Sequence, residues 1–285
     1  MSTIDDAALA APGPLGLTLD DLGEALGGAA TVLRANAMAA GLDAPVPTCP
    51  DWTVLDLVTH QGMVHRWAAS HLRGEPVEPE PLEREGRRSA DVLGWFDDGA
   101  TALLQAIVDA PDALDAVVFL KDAPAPRLFW TRRQCHETTV HAVDALGARL
   151  GRPARAHETW IRPAVALDGI DELLVGFVTR RKEGASPGAP TRLLVRPDGA
   201  DVAWLVDLDT GRPIRTSRVR SGSGGSGGAD ADHVLTGDPV DLYLRLWSRG
   251  AAEPAEPAEP TETTETTETI TEIERWWREN ISISW

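Results

Sequence analysis

Glu137 and His141 stand four residues apart within WTRRQCHETTVHAVDAL, the stretch from Trp130 to Leu146. The stretch has no Gly between Trp130 and Leu146 and no Pro, and Val140, Val143, Ala145 and Leu146 supply apolar contacts, so it reads as an α-helix. On a helix, side chains at i and i+4 share a face one turn apart. A carboxylate and an imidazole so placed suit a borderline divalent cation such as zinc. The same spacing arises by chance on solvated helices, so the pair alone is a weak signal. A third donor has to come from another element, and His60 in DWTVLDLVTHQGMVHRW is the best candidate. Three protein ligands leave a coordination position open for water, thiol or substrate, which is the arrangement of a catalytic rather than a structural site.

Two cysteines, Cys49 and Cys135, are too few for a disulfide framework. Cys135 precedes Glu137 by two residues and so points to a different helix face, and each cysteine reads as a packed, reduced thiol. With no protein nucleophile placed beside the candidate ligands, an external small thiol fits the chemistry. A thiol on a metal is deprotonated at neutral pH, whereas a free one titrates at about 8.5.

The elements that would position these residues follow from periodicity and punctuation. A first helix is expected over Thr18 to Ala40, with Gly41 as its stop. Three prolines make Asp43 to Pro50 an extended loop. The helix carrying His60 should start at Trp52 or Thr53, where Thr53 and Asp56 have capping-box spacing. Glu75 to Pro81 reads as a loop, Ser89 to Val108 as a third helix, and Trp130 to Arg149 as a fourth, ended by Gly151. Four helices joined in this way predict a four-helix bundle, in which metal sites are built from side chains on facing helices.

Beyond Pro153 the pattern changes. Trp160 to Val178 reads as a helix. Short apolar or alternating runs at Arg192 to Val195, Val202 to Leu208, Ile214 to Val219 and Ala231 to Leu235 read as strands, with hairpin signals at Asp198-Gly199 and Thr210-Gly211. Helical spacing returns over Pro239 to Ser248. The run SGSGGSGG from Ser221 to Gly228 lacks the ending of a phosphate loop and reads as a flexible hairpin connection.

Taken together, TCPDWTVLDLVTHQGMVHRW and WTRRQCHETTVHAVDAL resemble the mycothiol-dependent maleylpyruvate isomerase family, one of the DinB-like metal-binding helical bundles. DGIDELL from Asp168 and GDPVDLYLRLWSRG from Gly237 are similar to its C-terminal domain. The resemblance implies an α+β chain with a DinB-like four-helix bundle over 17–153 and a small α/β domain over 157–250; it does not cover 251–285, which composition reads as a disordered acidic tail. It implies that His60, Glu137 and His141 bind a divalent metal, zinc in this reading, and that mycothiol is the thiol cosubstrate. It further implies a cis–trans isomerisation in which the thiolate adds to the double bond of maleylpyruvate, the bond rotates, and the thiol leaves. An anionic substrate calls for a cation. Arg249 is the first choice, with Arg245, Arg132 and Arg133 as alternatives; Arg249 also fits a plain helix C-terminal cap. Two other functions remain open on the sequence: a mycothiol S-transferase acting on electrophiles, and a non-catalytic metal-binding interaction module. No GxSxG elbow supports a Ser/His/Asp hydrolase.

The resemblance implies a small anionic or electrophilic substrate, and composition bears on the other partners. The 285 residues carry 27 basic and 44 acidic side chains, a formal charge of −17, which argues against a nucleic-acid partner. No apolar run reaches the roughly 18 residues needed to span a bilayer, and the N-terminus lacks the basic start of a secretory signal, so no membrane association is expected and a cytoplasmic location is. From Gly250 onward there are nine Glu against two Arg, in Glu-Pro and Thr/Glu repeats that read as an extended, solvated tether. Its aromatic end, IERWWRENISISW, is expected to dock weakly on the chain's own body or on a partner.

Overall fold

Thr18 and Thr53 start two helices by the same device. Each threonine hydroxyl accepts from the backbone N–H three residues on, at 3.2 Å from Asp21 and 3.3 Å from Asp56, and each aspartate accepts the threonine N–H in return. These reciprocal bonds satisfy donors that a helix start leaves unpaired. The structure, a computed structural model, describes residues 13–221, 231–250, 264–281 and 283. Most of the glycine–serine run and the first part of the tail, 222–230 and 251–263, lie outside the described residues.

The chain divides into two compact units, Met1–Phe119 with Ala123–Ala154, and Leu120–Asp122 with Arg155–Trp285. The first unit holds α1 (Leu19–Ala40), a short hairpin of β1 (Pro45–Val46) and β2 (Cys49–Thr53), α2 (Val54–Leu72), α3 (Pro79–Arg88), α4 (Val92–Asp109) and α5 (Pro126–Leu150). Helix α1 lies against α5 and α4, and α2 against α4, α3 and α5, so α1, α2, α4 and α5 form the expected bundle. The buried stripe of α1, Leu22, Leu26, Ala29, Leu33 and Ala37, follows helical spacing. Burying each of its leucines contributes about 1.5–3 kcal/mol. Helix α2 approaches α4 closely at Gly62, where a Cβ would stand 2.3 Å from the Trp95 ring.

Helix α5 is buried on every face from Leu128 to Ala148, although Thr131, Arg132, Arg133, Gln134, His136, Glu137, Thr138, Thr139, His141 and Asp144 are polar. So much buried polarity is expensive unless it is paired or used. Gly151, at φ 68°, ends the helix in the left-handed conformation that glycine adopts without strain.

The second unit opens with α6 (Pro163–Asp171), then a π-helical stretch over Glu172–Phe177 and a 3-10 turn over Val178–Arg180. The sequence suggested one continuous α-helix here; the widened turn coincides with Thr216 Oγ1, which donates to the Leu174 carbonyl at 2.7 Å, and Thr179 Oγ1, which donates to that of Val175. A four-stranded sheet follows, with β3 (Thr191–Pro197), β4 (Val202–Leu208), β5 (Arg215–Arg220) and β6 (His233–Gly237) in the order β5-β4-β3-β6. The first three strands are antiparallel, with Leu193 opposite Val206 and Leu205 opposite Ser217. Strand β6 runs parallel to β3 and leads into α7 (Pro239–Leu246), which packs on α6. Asp171, fully buried, accepts from the Trp204 indole at 2.9 Å and from Arg218 through both carboxylate oxygens, tying α6 to the sheet.

The end of the tail is ordered, against the expectation of disorder over 251–285, and it docks on the chain's own body, one of the two expectations for its aromatic end. Thr264–Asn280 forms α8, and Ile273, Trp277 and Ile281 are buried. Their four-residue spacing places them on one helical stripe. The Trp277 indole donates to the Leu246 carbonyl at 3.0 Å, and Glu274 pairs with Arg245. Composition averaged over the whole tail hides this stripe, because the Thr/Glu repeats that precede it dominate. Helix α3, placed in part within an expected loop, was hidden for a related reason: PEPLEREGRR has almost no apolar residues, and Pro79 at its first position marks a start only once the helix is known. Among the described residues no helix is long and apolar enough to cross a membrane.

Candidate metal centre

The hairpin β1–β2 delivers the chain into α2, and α2 carries His60 toward α5. There His60 Nε2 lies 3.6 Å from Glu137 Oε1, and His141 Nε2 lies 3.3 Å from the same oxygen. One ligand-type atom from each of the three residues fits within a 4.8 Å span. Glu137 and His141 are buried, whereas the His60 side chain keeps 18% of its surface exposed, so the cluster has one edge open to solvent. The imidazole rings of His60 and His141 meet edge to face at 5.2 Å. The structure thus brings the three sequence candidates to one point.

Four residues complete the surroundings: Arg133, which the sequence offered only as an alternative substrate cation, and Asp144, Thr48 and Trp52, to which it gave no role at the site. Arg133, one turn before Glu137, donates to Glu137 Oε2 at 2.7 Å and is fully buried. Asp144, one turn after His141 and also fully buried, sits 2.9 Å from His141 Nδ1 through Oδ2. Its other oxygen accepts from the Thr48 hydroxyl at 2.5 Å, which ties the hairpin to α5. Trp52, on β2, stacks on His141 at 5.7 Å and tilts over His60 at 4.9 Å. The signal for Arg133 and Asp144 was present in the sequence, since both lie three or four residues from a candidate ligand on the same helix. Nothing in local spacing points to Thr48 or Trp52, which reach the site through the hairpin.

These neighbours set the charge of the cluster. Burial pushes the Glu137 carboxyl up, but the His141 and His60 imidazoles and the Arg133 guanidinium outweigh it and hold the carboxyl well below its usual range. Burial pushes His141 down, and the Asp144 and Glu137 carboxylates overcome it, raising His141 to about 9. Asp144 also receives the Cys49 thiol, 3.8 Å from Oδ2.

The residues present fit a divalent cation. Glu137 Oε1 and His60 Nε2 are buried atoms with no hydrogen-bond partner within the protein; the contacts between them and His141 are electrostatic rather than well-formed hydrogen bonds. Buried polar atoms are normally paired. Here the His60 nitrogen and the Glu137 oxygen carry capacity that their neighbours do not use, and with His141 Nε2 the set matches the ligand chemistry of zinc.

The other sequence candidates stand elsewhere. Arg249 is in the second unit, after α7, where its Nη1 donates to the Trp247 carbonyl at 3.0 Å. Arg245 is engaged by Asp241 and Glu274. His71, expected to answer a helix dipole, instead stacks on the Trp130 ring at 4.7 Å. His65 is fully buried, with Nε2 2.9 Å from Thr138 Oγ1.

Fold and cluster together define a class: a helical bundle with a His–Glu–His set between two of its helices, followed by a small α/β unit. Within that class, residues 22–146 match the family model described as the mycothiol maleylpyruvate isomerase N-terminal domain. Two crystal structures share the fold. The mycothiol-dependent maleylpyruvate isomerase superposes with a TM-score of 0.55 at 14% identity, over 85% of this chain and 97% of the other. A histidine-to-alanine mutant of that enzyme gives a TM-score of 0.57 at 12% identity over the same shares. No curated protein matches the chain by sequence.

Proposed function

We propose that this chain is a mycothiol-dependent metalloenzyme of the maleylpyruvate isomerase type. Its substrate would be a small anionic molecule with an electrophilic cis double bond. The observation that carries the reading is the convergence of His60, Glu137 and His141, with unsatisfied buried donor atoms, in a domain that matches this family's model. His60 and His141 would offer Nε2 and Glu137 would offer Oε1. A divalent metal bound there, zinc by ligand type, lowers the pKa of a coordinated thiol and so supplies a nucleophile at neutral pH.

The chain's own groups prepare the site. Asp144 accepts the Nδ1 proton of His141 and holds the ring so that a cation displacing the other proton would meet the Nε2 lone pair. Arg133 keeps Glu137 ionised and aimed by holding its second oxygen. Trp52 covers the two imidazoles and limits water on that side. Reversible addition of an external thiol to a cis double bond, rotation about the resulting single bond, and elimination would need no protein nucleophile. Arg249 remains, on its charge alone, the proposed partner of a substrate carboxylate.

The test is metal analysis of the purified chain followed by turnover of maleylpyruvate with and without mycothiol. About one divalent metal per chain and isomerisation that requires both metal and thiol are expected. Conjugation of a generic electrophile without isomerisation would reassign the same centre to S-transfer. Bound metal with no thiol-dependent reaction at all would overturn the enzymatic reading in favour of a binding module.

A further inference from the structure

Two sequence neighbours of the proposed ligands meet across the bundle. Gln61 follows His60 on α2, and Thr138 follows Glu137 on α5. Gln61 Nε2 donates to Thr138 Oγ1 at 3.1 Å, and His65 Nε2 lies 2.9 Å from the same oxygen. All three side chains are fully buried. A threonine hydroxyl has a single proton. Thr138 Oγ1 accepts from the Gln61 amide and meets His65 Nε2 with its proton or its second lone pair, and His65 is neutral in this tie. Burial in the bundle acts in the same direction, pushing His65 down to about 3.

We infer that this tie centred on Thr138 is a positioning device for the metal centre, which sets the register of α2 against α5 and with it the reach of His60 to Glu137 and His141. The inference rests on the metal reading given above. Glu137 and His141 are spaced by the helix they share, so their separation is fixed by helical geometry. The position of His60 depends instead on how α2 packs. A slide by one residue shifts a helix by about 1.5 Å, enough to carry hydrogen bonds of this length past about 3.5 Å, where they fail. The tie sits beside both ligand-bearing positions, so it resists that slide at the point where the slide matters. It is also a poor device for stability alone, because His65 Nδ1 and Gln61 Oε1 are left buried without a partner in the protein. Apolar packing would stabilise the same contact better, but it would not discriminate between neighbouring registers.

The experiment measures metal affinity by competition with a chromophoric chelator, on folded protein well below its melting temperature. Thr138→Val keeps the shape of the side chain and removes the hydroxyl. Zinc affinity is expected to fall by about ten- to a hundredfold, the usual range for groups that orient ligands. Thr138→Ser, which restores the hydroxyl, should return to within about threefold of the parent chain. Should Thr138→Val fail to fold, Gln61→Met carries the same test by removing only the amide donor, with a smaller loss in the same direction. A Thr138→Val chain that melts lower yet binds zinc as tightly as the parent overturns the positioning role and leaves the metal reading intact. A parent chain that binds no zinc overturns the metal reading, and the inference with it.

Discussion

Asp144 acts through His141, and its removal separates orientation from ligation. Asp144→Asn keeps the size of the side chain but loses the charge that receives Nδ1–H. It is expected to weaken metal binding by about ten- to a hundredfold without abolishing it, as read by the same chelator competition. His60→Ala, Glu137→Gln and His141→Ala each remove a donor, and elemental analysis should find little metal left after dialysis. His136→Ala tests the helix-face assignment: His136 is buried beside Glu137 but lies outside the cluster, so its variant should retain metal. His65 adds a pH effect of definite sign. Burial, the Arg66 charge and the His141 and His60 imidazoles lower it to about 3 from an ordinary 6.5, against the opposing pull of Glu137. Between those values the unfolded chain binds a proton that the folded chain refuses, so this contribution to stability is lost as pH falls below 6.5 and stops changing near 3. The loss approaches about 1.4 kcal/mol per pH unit. Urea unfolding at pH 7 and pH 5 should show a smaller acid penalty for His65→Gln than for the parent chain. Equal penalties would mean that His65 accepts its proton in the folded bundle.

At the scale of elements, the legible parts were those in which one local rule decides. The threonine caps of α1 and α2 were readable because a capping box spans only four residues. The strands β3 and β4 were readable as short apolar runs. The ligand pair on α5 was readable because the helix itself sets its spacing. What local rules do not reach is the hairpin, whose Thr48 and Trp52 meet α5 only after folding. The same holds for α8, whose docking depends on a surface built by β6 and α7. The stripe of α8 makes the end of the tail part of the packing of the second unit. Trp277→Ala should lower the stability of the second unit, by at most about 3–5 kcal/mol, and by less if undocking of α8 alone relieves the cavity. Thermal melting together with hydrogen exchange of the backbone amides of α7, whose Leu246 carbonyl accepts from the Trp277 indole, reads this. Metal content should not change. In the first unit, Gly62→Ala drives a methyl group into the Trp95 ring and should cost about 1–3 kcal/mol. A neutral result in chemical unfolding would show that α2 and α4 can separate without loss.

For the whole molecule, charge is the first consideration. A net charge of −17 repels an anionic substrate at long range. Salt screens this repulsion over about 10 Å at 0.1 M. If the proposed substrate class is correct, kcat/KM for a dianion should rise when ionic strength is raised from about 0.01 M to 0.1 M, and that for a neutral electrophile should not. Arg249→Met should raise KM for the dianion more than it lowers kcat, and an unchanged KM would remove Arg249 from substrate binding.

Three residues carry a consequence for how the protein is made. Leu120–Asp122 belong to the second unit although the chain on either side belongs to the first. Lys121 donates to the Thr179 carbonyl at 2.7 Å, and Asp122, held at a φ of 53°, pairs with Arg218 at 2.7 Å. During synthesis Asp122 leaves the ribosome 96 residues ahead of Arg218. At about 5–20 residues per second that is a wait of several seconds, during which the helical bundle can close around a short segment whose own destination has not yet been translated. A fragment beginning at Arg155 would lack that segment altogether. Dividing this gene product into separately expressed halves would therefore cut through the packing of the second half, however clean the boundary looks along the chain.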